Sequence, residues 1–195
     1  MRKNYIAQTA GVIGMAGAVL WIIRDIMQAS LGLYGYGTSL LFTVHRLFSI
    51  ISMICILIGF LGFLWGGAVK GTFGKIAIVL FALGYAVLTL SDTVVLLTGS
   101  EIGALYPMGG IISLLGAIFT GIAVAVEKRW SGWQRFMPLI HAAFVFLVMY
   151  LPLFAANQEP TPLTELLWGV SLFFMGLAVY SNSRKMETAK LNAAV

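Results

Sequence analysis

Charge is what this sequence has least of. Asp, Glu, Lys and Arg make up 10% of its 195 residues and hydrophobic residues 60%, against about 25% charged in an ordinary soluble domain. No water-soluble core could hide that much apolar surface. Cysteine is nearly absent as well. The one thiol, Cys55, excludes an internal disulfide, and without a CxxC pair or a Cys/His cluster the chain offers neither a zinc site nor thiol redox chemistry. Also missing are the GxSxG, HExxH, HxxxxH and clustered-Asp motifs of intramembrane hydrolases and phosphotransferases. No catalytic residue, metal or cofactor is therefore expected. The glycines of GFLGFLWGG, residues 59 to 67, and Gly109, Gly110, Gly116 and Gly121 read as packing surfaces rather than phosphate loops.

What the chain does have is long apolar runs. Six of them lie near residues 6–28, 40–66, 76–98, 106–126, 136–156 and 163–182, and about 20 helical residues cross a hydrocarbon layer of roughly 30 Å. The connectors are short and carry turn signals, such as Gly35-Tyr36-Gly37 and Glu159-Pro160-Thr161-Pro162. The pattern predicts an all-α, polytopic membrane protein, one six-helix domain over residues 1–195. Arg2-Lys3 and Ala16-Gly17-Ala18 imitate a secretory signal, but the first apolar run is too long for a signal core, so a retained helix is expected.

Basic residues sort by side. Arg2, Lys3, Lys70, Lys75, Lys128, Arg129, Arg135, Arg184, Lys185 and Lys190 fall at one end of the bundle with only Glu127 and Glu187, a net +8. Arg24 and Arg46 fall at the other with Asp25, Asp92, Glu101, Glu159 and Glu165, a net −3. Positive loops stay cytoplasmic, so both termini are expected inside a plasma or inner membrane, and the overall +5 reads as topology rather than nucleic-acid binding. Trp65, Trp130 and Trp133 fall at the predicted inner boundary, where indoles anchor.

Within the first run, LWIIRDIMQ (20 to 28) sets Arg24 beside Asp25. Ala7, Gly11, Gly14 and Ala18 share a helical face that continues to Asp25 and Gln28, so Asp25 is expected to face protein while Arg24 points to the flank. At 1.5 Å per residue from the basic end, Arg24 and Asp25 stand about 27 Å up, His45 and Arg46 about 28 to 30 Å, and Asp92 about 24 Å, with Glu165 at a similar height. Two polar stripes, His45-Ser49-Ser52 extended by Thr38, and Tyr85-Thr89-Asp92, point the same groups into the bundle. Arg24, Asp25, His45, Arg46, Asp92 and Glu165 thus form a candidate ligand-binding layer, with Tyr34, Tyr36 and Tyr106 as a rim. His141 stands about 9 Å from the cytoplasmic side, too far from His45 to share a heme, and reads as a bundle residue near a kink at Pro138.

A plainer reading stays open beside this one. Arg24, Asp25 and Arg46 can pin helices together at the headgroup level, His45 can be satisfied by a hydrogen bond to a serine or the backbone, and Glu165 can serve the dipole of a helix capped by Thr161 with Pro162 in its first turn. Asp92, followed by apolar Val94 to Leu97, is the carboxylate expected to be buried, paired or functional.

Six helices with both ends inside and a chain near 195 residues resemble the substrate-binding subunits of energy-coupling-factor vitamin transporters, which dock onto a partner through small residues on helix 1, the place that Ala7, Gly11, Gly14 and Ala18 hold here. That resemblance implies a membrane partner subunit docked through helix 1, although a clean Ala-x-x-x-Ala signature is missing here. The leading functional expectation is binding or transport of a small polar or charged molecule between helices 1, 2, 3 and 6. The alternatives are a non-catalytic accessory, sensor or immunity-type protein with a structural charge network, and a lipid-acting enzyme using Ser49 or Ser52 with His45, for which no oxyanion donor is identifiable.

Overall fold

A long apolar run can satisfy its backbone only within itself, as a helix, and all regular structure among the described residues is helical. The computed structural model describes residues 2–33, 37, 39–157 and 161–192. Tyr34, Gly35, Tyr36, Thr38, Glu159 and Pro160 lie outside the described residues, as do the side chains of Arg2, Lys3 and Lys190. The helices are α1 (Arg2–Leu31), α2 (Leu40–Trp65), α3 (Thr72–Thr98), α4 (Leu105–Glu127), α5 (Met137–Ala156) and α6 (Pro162–Asn192), with a 3-10 turn at Gly132–Arg135. Each holds a stretch long and apolar enough to cross a membrane, from 20 residues in α5 to 28 in α1 and α6.

Local chemistry sets the helix ends. Ser39 Oγ accepts the Phe42 amide at 3.2 Å and opens α2. Thr161 Oγ1 accepts the Thr164 amide at 3.3 Å, and Pro162 needs no donor in the first turn of α6. Gly99 closes α3 in the left-handed region at φ 70°.

The expected kink at Pro138 is absent. Pro138 stands in the first turn of α5, where its missing N–H breaks no interior bond. The irregularity comes later: Val145–Tyr150 widens into a π-helical stretch immediately before Pro152. A proline inside a helix takes a donor away and crowds the carbonyl four residues back, and a wide turn relieves both.

The helices run around the bundle in the order α6, α1, α2, α3, α4, α5, with α5 returning to pack on α6. Small residues fix the closest crossings. A methyl on Gly59 would stand 2.7 Å from the Gly14 backbone, and one on Gly11 2.7 Å from the Tyr180 backbone. The stripe Ala7-Gly11-Gly14-Ala18 therefore makes its close approaches inside the chain, against α2 and α6. Gly116 meets the Phe81 backbone and Gly121 that of Leu139, so α4 uses its glycines in the same way.

Aromatic rings fill the centre. Phe60 stacks on Phe81 at 3.9 Å and meets Tyr85 edge-on at 4.9 Å, and Trp21 lies 5.1 Å from Trp168. His141 belongs to this core: its Nδ1 shares a 2.8 Å hydrogen bond with Ser171 Oγ, and its ring lies 5.7 Å from Phe81. Trp65 and Trp133 are partly exposed, whereas Trp130, expected beside them at the inner boundary, is buried. It stacks on Phe63 at 4.9 Å and donates its indole N–H to the Gly66 carbonyl at 3.2 Å. The carbonyl freed at the end of α2 offers that N–H a better partner than an interface would.

Candidate functional site

The last turns of α1 and α3 and the first turns of α2, α4 and α6 meet at one end of the bundle, opposite the loops that carry Lys70, Lys75, Lys128, Arg129 and Arg135. Arg24 and Asp25 enter this end before α1 finishes, since the helix runs on to Leu31. Asp25 is buried at 2% exposure, facing protein as its place on the small-residue face requires. Arg24 differs from a residue that snorkels outward. It is 9% exposed, its guanidinium lies 4.7 Å over the Trp21 ring, and Nη1 stands 3.1 Å from Asp25 Oδ1. Its Nη2 donates to Gln28 Oε1 at 2.8 Å and its Nε to His45 Nε2 at 3.4 Å. His45 thus accepts from α1 through one ring nitrogen, the role of a neutral imidazole carrying its proton on Nδ1.

A second pair joins α2 to α3. Arg46 Nη1 donates to Asp92 Oδ1 at 2.6 Å, and Ser49 Oγ donates to Asp92 Oδ2. Asp92 is 2% exposed, so this carboxylate, placed by the polar stripe of α3, receives charge-assisted bonds away from water. One turn further along α2, Ser52 Oγ donates to the Gly17 carbonyl at 2.8 Å. Both serines are therefore engaged elsewhere than with His45, an arrangement that does not prepare a nucleophile and base.

These groups surround a chamber of about 380 Å³. Arg24, His45, Arg46, Asp92 and Glu165 line it, together with Gln28, Ser49, Glu101 and Tyr106. Of the six charged and histidine residues chosen from sequence, all of them described, Asp25 alone stands behind the wall, touching the chamber through Arg24. Tyr106 lies on the lining, whereas Tyr34 and Tyr36 fall outside the described residues. Glu101, in the α3–α4 connector, and Gln28 were not foreseen as lining. Gln28 continues the face of Asp25, a signal that could have found it; Glu101 sits where no helical period exists to place it.

The electrostatic balance of this end is negative. Arg24 and Arg46 bring two positive charges, and Asp25, Asp92, Glu101 and Glu165 four negative ones, a formal −2 with His45 neutral. Both guanidiniums already lie against carboxylates, while Glu165 and Glu101 have no ion pair within 4 Å among the described residues. Glu165 sits half-buried in the first turn of α6, where the helix dipole favours a carboxylate. No group of His, Cys, Asp and Glu among the described residues has the arrangement of a metal site.

No protein-family model, curated protein or solved structure matches this chain. The likeness to energy-coupling-factor subunits is accordingly one of chain length and helix count, and it transfers no ligand-binding residue.

Proposed function

We propose that the chain is an integral membrane protein of a plasma or inner membrane, with both termini cytoplasmic, that binds or transports a small polar or charged molecule through the chamber at its outward end. The observation that carries this reading is the convergence of Arg24, His45, Arg46, Asp92 and Glu165, from four helices, on one cavity. Ionisable side chains are costly at membrane depth, and a set that faces a shared cavity rather than lipid is the usual form of an intramembrane binding site. The unequal charge of the two ends supports the orientation. Because both arginines already meet carboxylates, the chamber takes its ligand chiefly through acceptors, Glu165 foremost, and so suits a cationic or hydrogen-bond-donating group.

The test is native mass spectrometry of the full-length protein extracted with its own lipids. A discrete bound mass on the wild type, lost in Asp92→Asn and in Arg46→Gln at a temperature below each variant's lowered unfolding midpoint, where helicity is retained, is the expected result. A wild type that carries no such mass, or variants that keep it, would overturn the reading.

The 2.6 Å bridge between Arg46 and Asp92 favours a second reading, in which the layer is a lock between α2 and α3 in an accessory, sensor or immunity-type protein. In that case no ligand accompanies the wild type, and lost stability is the whole effect of the two variants.

A further inference from the structure

The polar chamber shares part of its lining with a neighbouring space. A second cavity, of about 290 Å³, shares Arg24, Tyr106 and Glu165 with it. Its character is opposite: Pro107 and Ile111 of α4, Met149, Leu153 and Phe154 of α5 and Trp168 of α6 give it an apolar lining. One cation, one phenol and one carboxylate therefore stand where a polar space and an apolar space meet.

The helices explain why the crevice exists. Toward their other ends α4 and α5 pack backbone to backbone, with Gly121 against Leu139. At this end a side chain comes between them: the Tyr150 hydroxyl, from the π-helical stretch that precedes Pro152, reaches across to Gly110. The rim residues Ile111 and Phe154 are 47% and 68% exposed, on the surface a bilayer would cover. The crevice thus faces sideways, between two helices, while the chamber faces the bundle end.

Building on the chamber as a ligand site, we propose that the ligand is an amphiphile: a single-chain lipid-like molecule whose amino-bearing head lies beside Glu165 and Tyr106 and whose apolar chain occupies the crevice between α4 and α5. The head follows from the charge balance, since Glu165 has no ion pair among the described residues and Arg24 is held by Asp25, Gln28 and His45. The chain follows from the two cavities bordering on the same three side chains, which sets an apolar space beside the polar one and offers a molecule with both kinds of surface a site for each.

The experiment titrates the full-length protein in maltoside detergent with dodecylamine, butylamine and dodecanoate, reading bound mass by native mass spectrometry. Leu153→Trp narrows the crevice; if that variant does not fold, Ile111→Trp at the exposed rim serves instead. Micelle partitioning is the same for every protein, so comparing wild type with variant isolates the crevice. The expected result is dodecylamine half-saturation raised roughly tenfold or more by Leu153→Trp, in line with the loss of several buried methylenes, and butylamine unchanged. Dodecanoate is expected to bind more weakly than dodecylamine, a preference that Glu165→Gln removes. Dodecylamine binding that ignores Leu153→Trp, or an amine preference that survives Glu165→Gln, overturns the proposal. Butylamine and dodecylamine binding alike, with both weakened in Glu165→Gln, overturns the amphiphile and leaves the chamber standing. A wild type with no amine bound overturns the amphiphile too, and the co-purified mass then decides the chamber separately.

Discussion

Asp92 receives Arg46 and Ser49 on its two oxygens and is almost wholly buried, so its removal takes from Arg46 the carboxylate that it meets across α2 and α3. Breaking one half of a buried pair costs about 3–5 kcal/mol, because the remaining charge has no compensation, whereas exchanging both halves for apolar residues is often neutral. Asp92→Ala is therefore expected to destabilise by about 3 kcal/mol or more, and Asp92→Leu combined with Arg46→Met to recover most of that loss. Thermal unfolding in detergent measures both, and a double variant no better than Asp92→Ala would contradict the pairing. Counting residues from the helix ends was enough to set His45, Arg46 and Asp92 near one level. It could not say which acid each arginine meets: Arg24 turns to its own neighbour, Asp25, and Arg46 crosses to another helix, a choice made by rotamers rather than by height. Glu165 is a different case. With no ion pair within 4 Å among the described residues, Glu165→Gln is expected to change stability by no more than about 0.5 kcal/mol, and a large loss would show that it holds the fold instead of facing the chamber.

At the scale of helices, closeness depends on what a glycine leaves out. Between α1 and α2 a Cβ on Gly59 would stand 2.7 Å from Gly14 Cα, with backbone that cannot step aside. Gly59→Ala is expected to cost about 1–3 kcal/mol through overpacking, while Gly103→Ala, which has no atom within 4 Å, should leave unfolding unchanged. Equal behaviour of the two would mean that α1 and α2 do not cross as closely as described. Helix existence and the small-residue face were legible because apolar length and a repeat of three to four residues survive in one dimension. The π-helical stretch at Val145–Tyr150 was not, since an apolar run reads the same whether a turn holds four residues or five. The early proline of α5 drew the expected kink, and the later one, Pro152, has the irregular turn.

Over the whole molecule, two gradients run together. Basic residues crowd one end and the acid-rich chamber occupies the other. Retention of Lys and Arg in the cytoplasm during insertion fixes such a chain one way up, which would open the chamber to the outside and set the α4–α5 crevice within the outer leaflet. The order of helices around the bundle was the part that sequence did not show, since short connectors make neighbours of consecutive helices but leave open how α6 closes against α1. That closure brings Glu165 to Arg24 and so completes the chamber. Orientation can be measured with the chain's own scarcity of cysteine. In a Cys55→Ser background, Ser100→Cys in the α3–α4 connector should react with a membrane-impermeant maleimide on intact cells. Ser131→Cys, between Arg129 and Arg135, should react only after permeabilisation. The opposite pattern would turn the chamber toward the cytoplasm, where an amino-bearing amphiphile would have to be drawn from the inner leaflet; labelling of both sites on intact cells would mean that the chain has no single orientation and that the charge gradient does not direct its insertion.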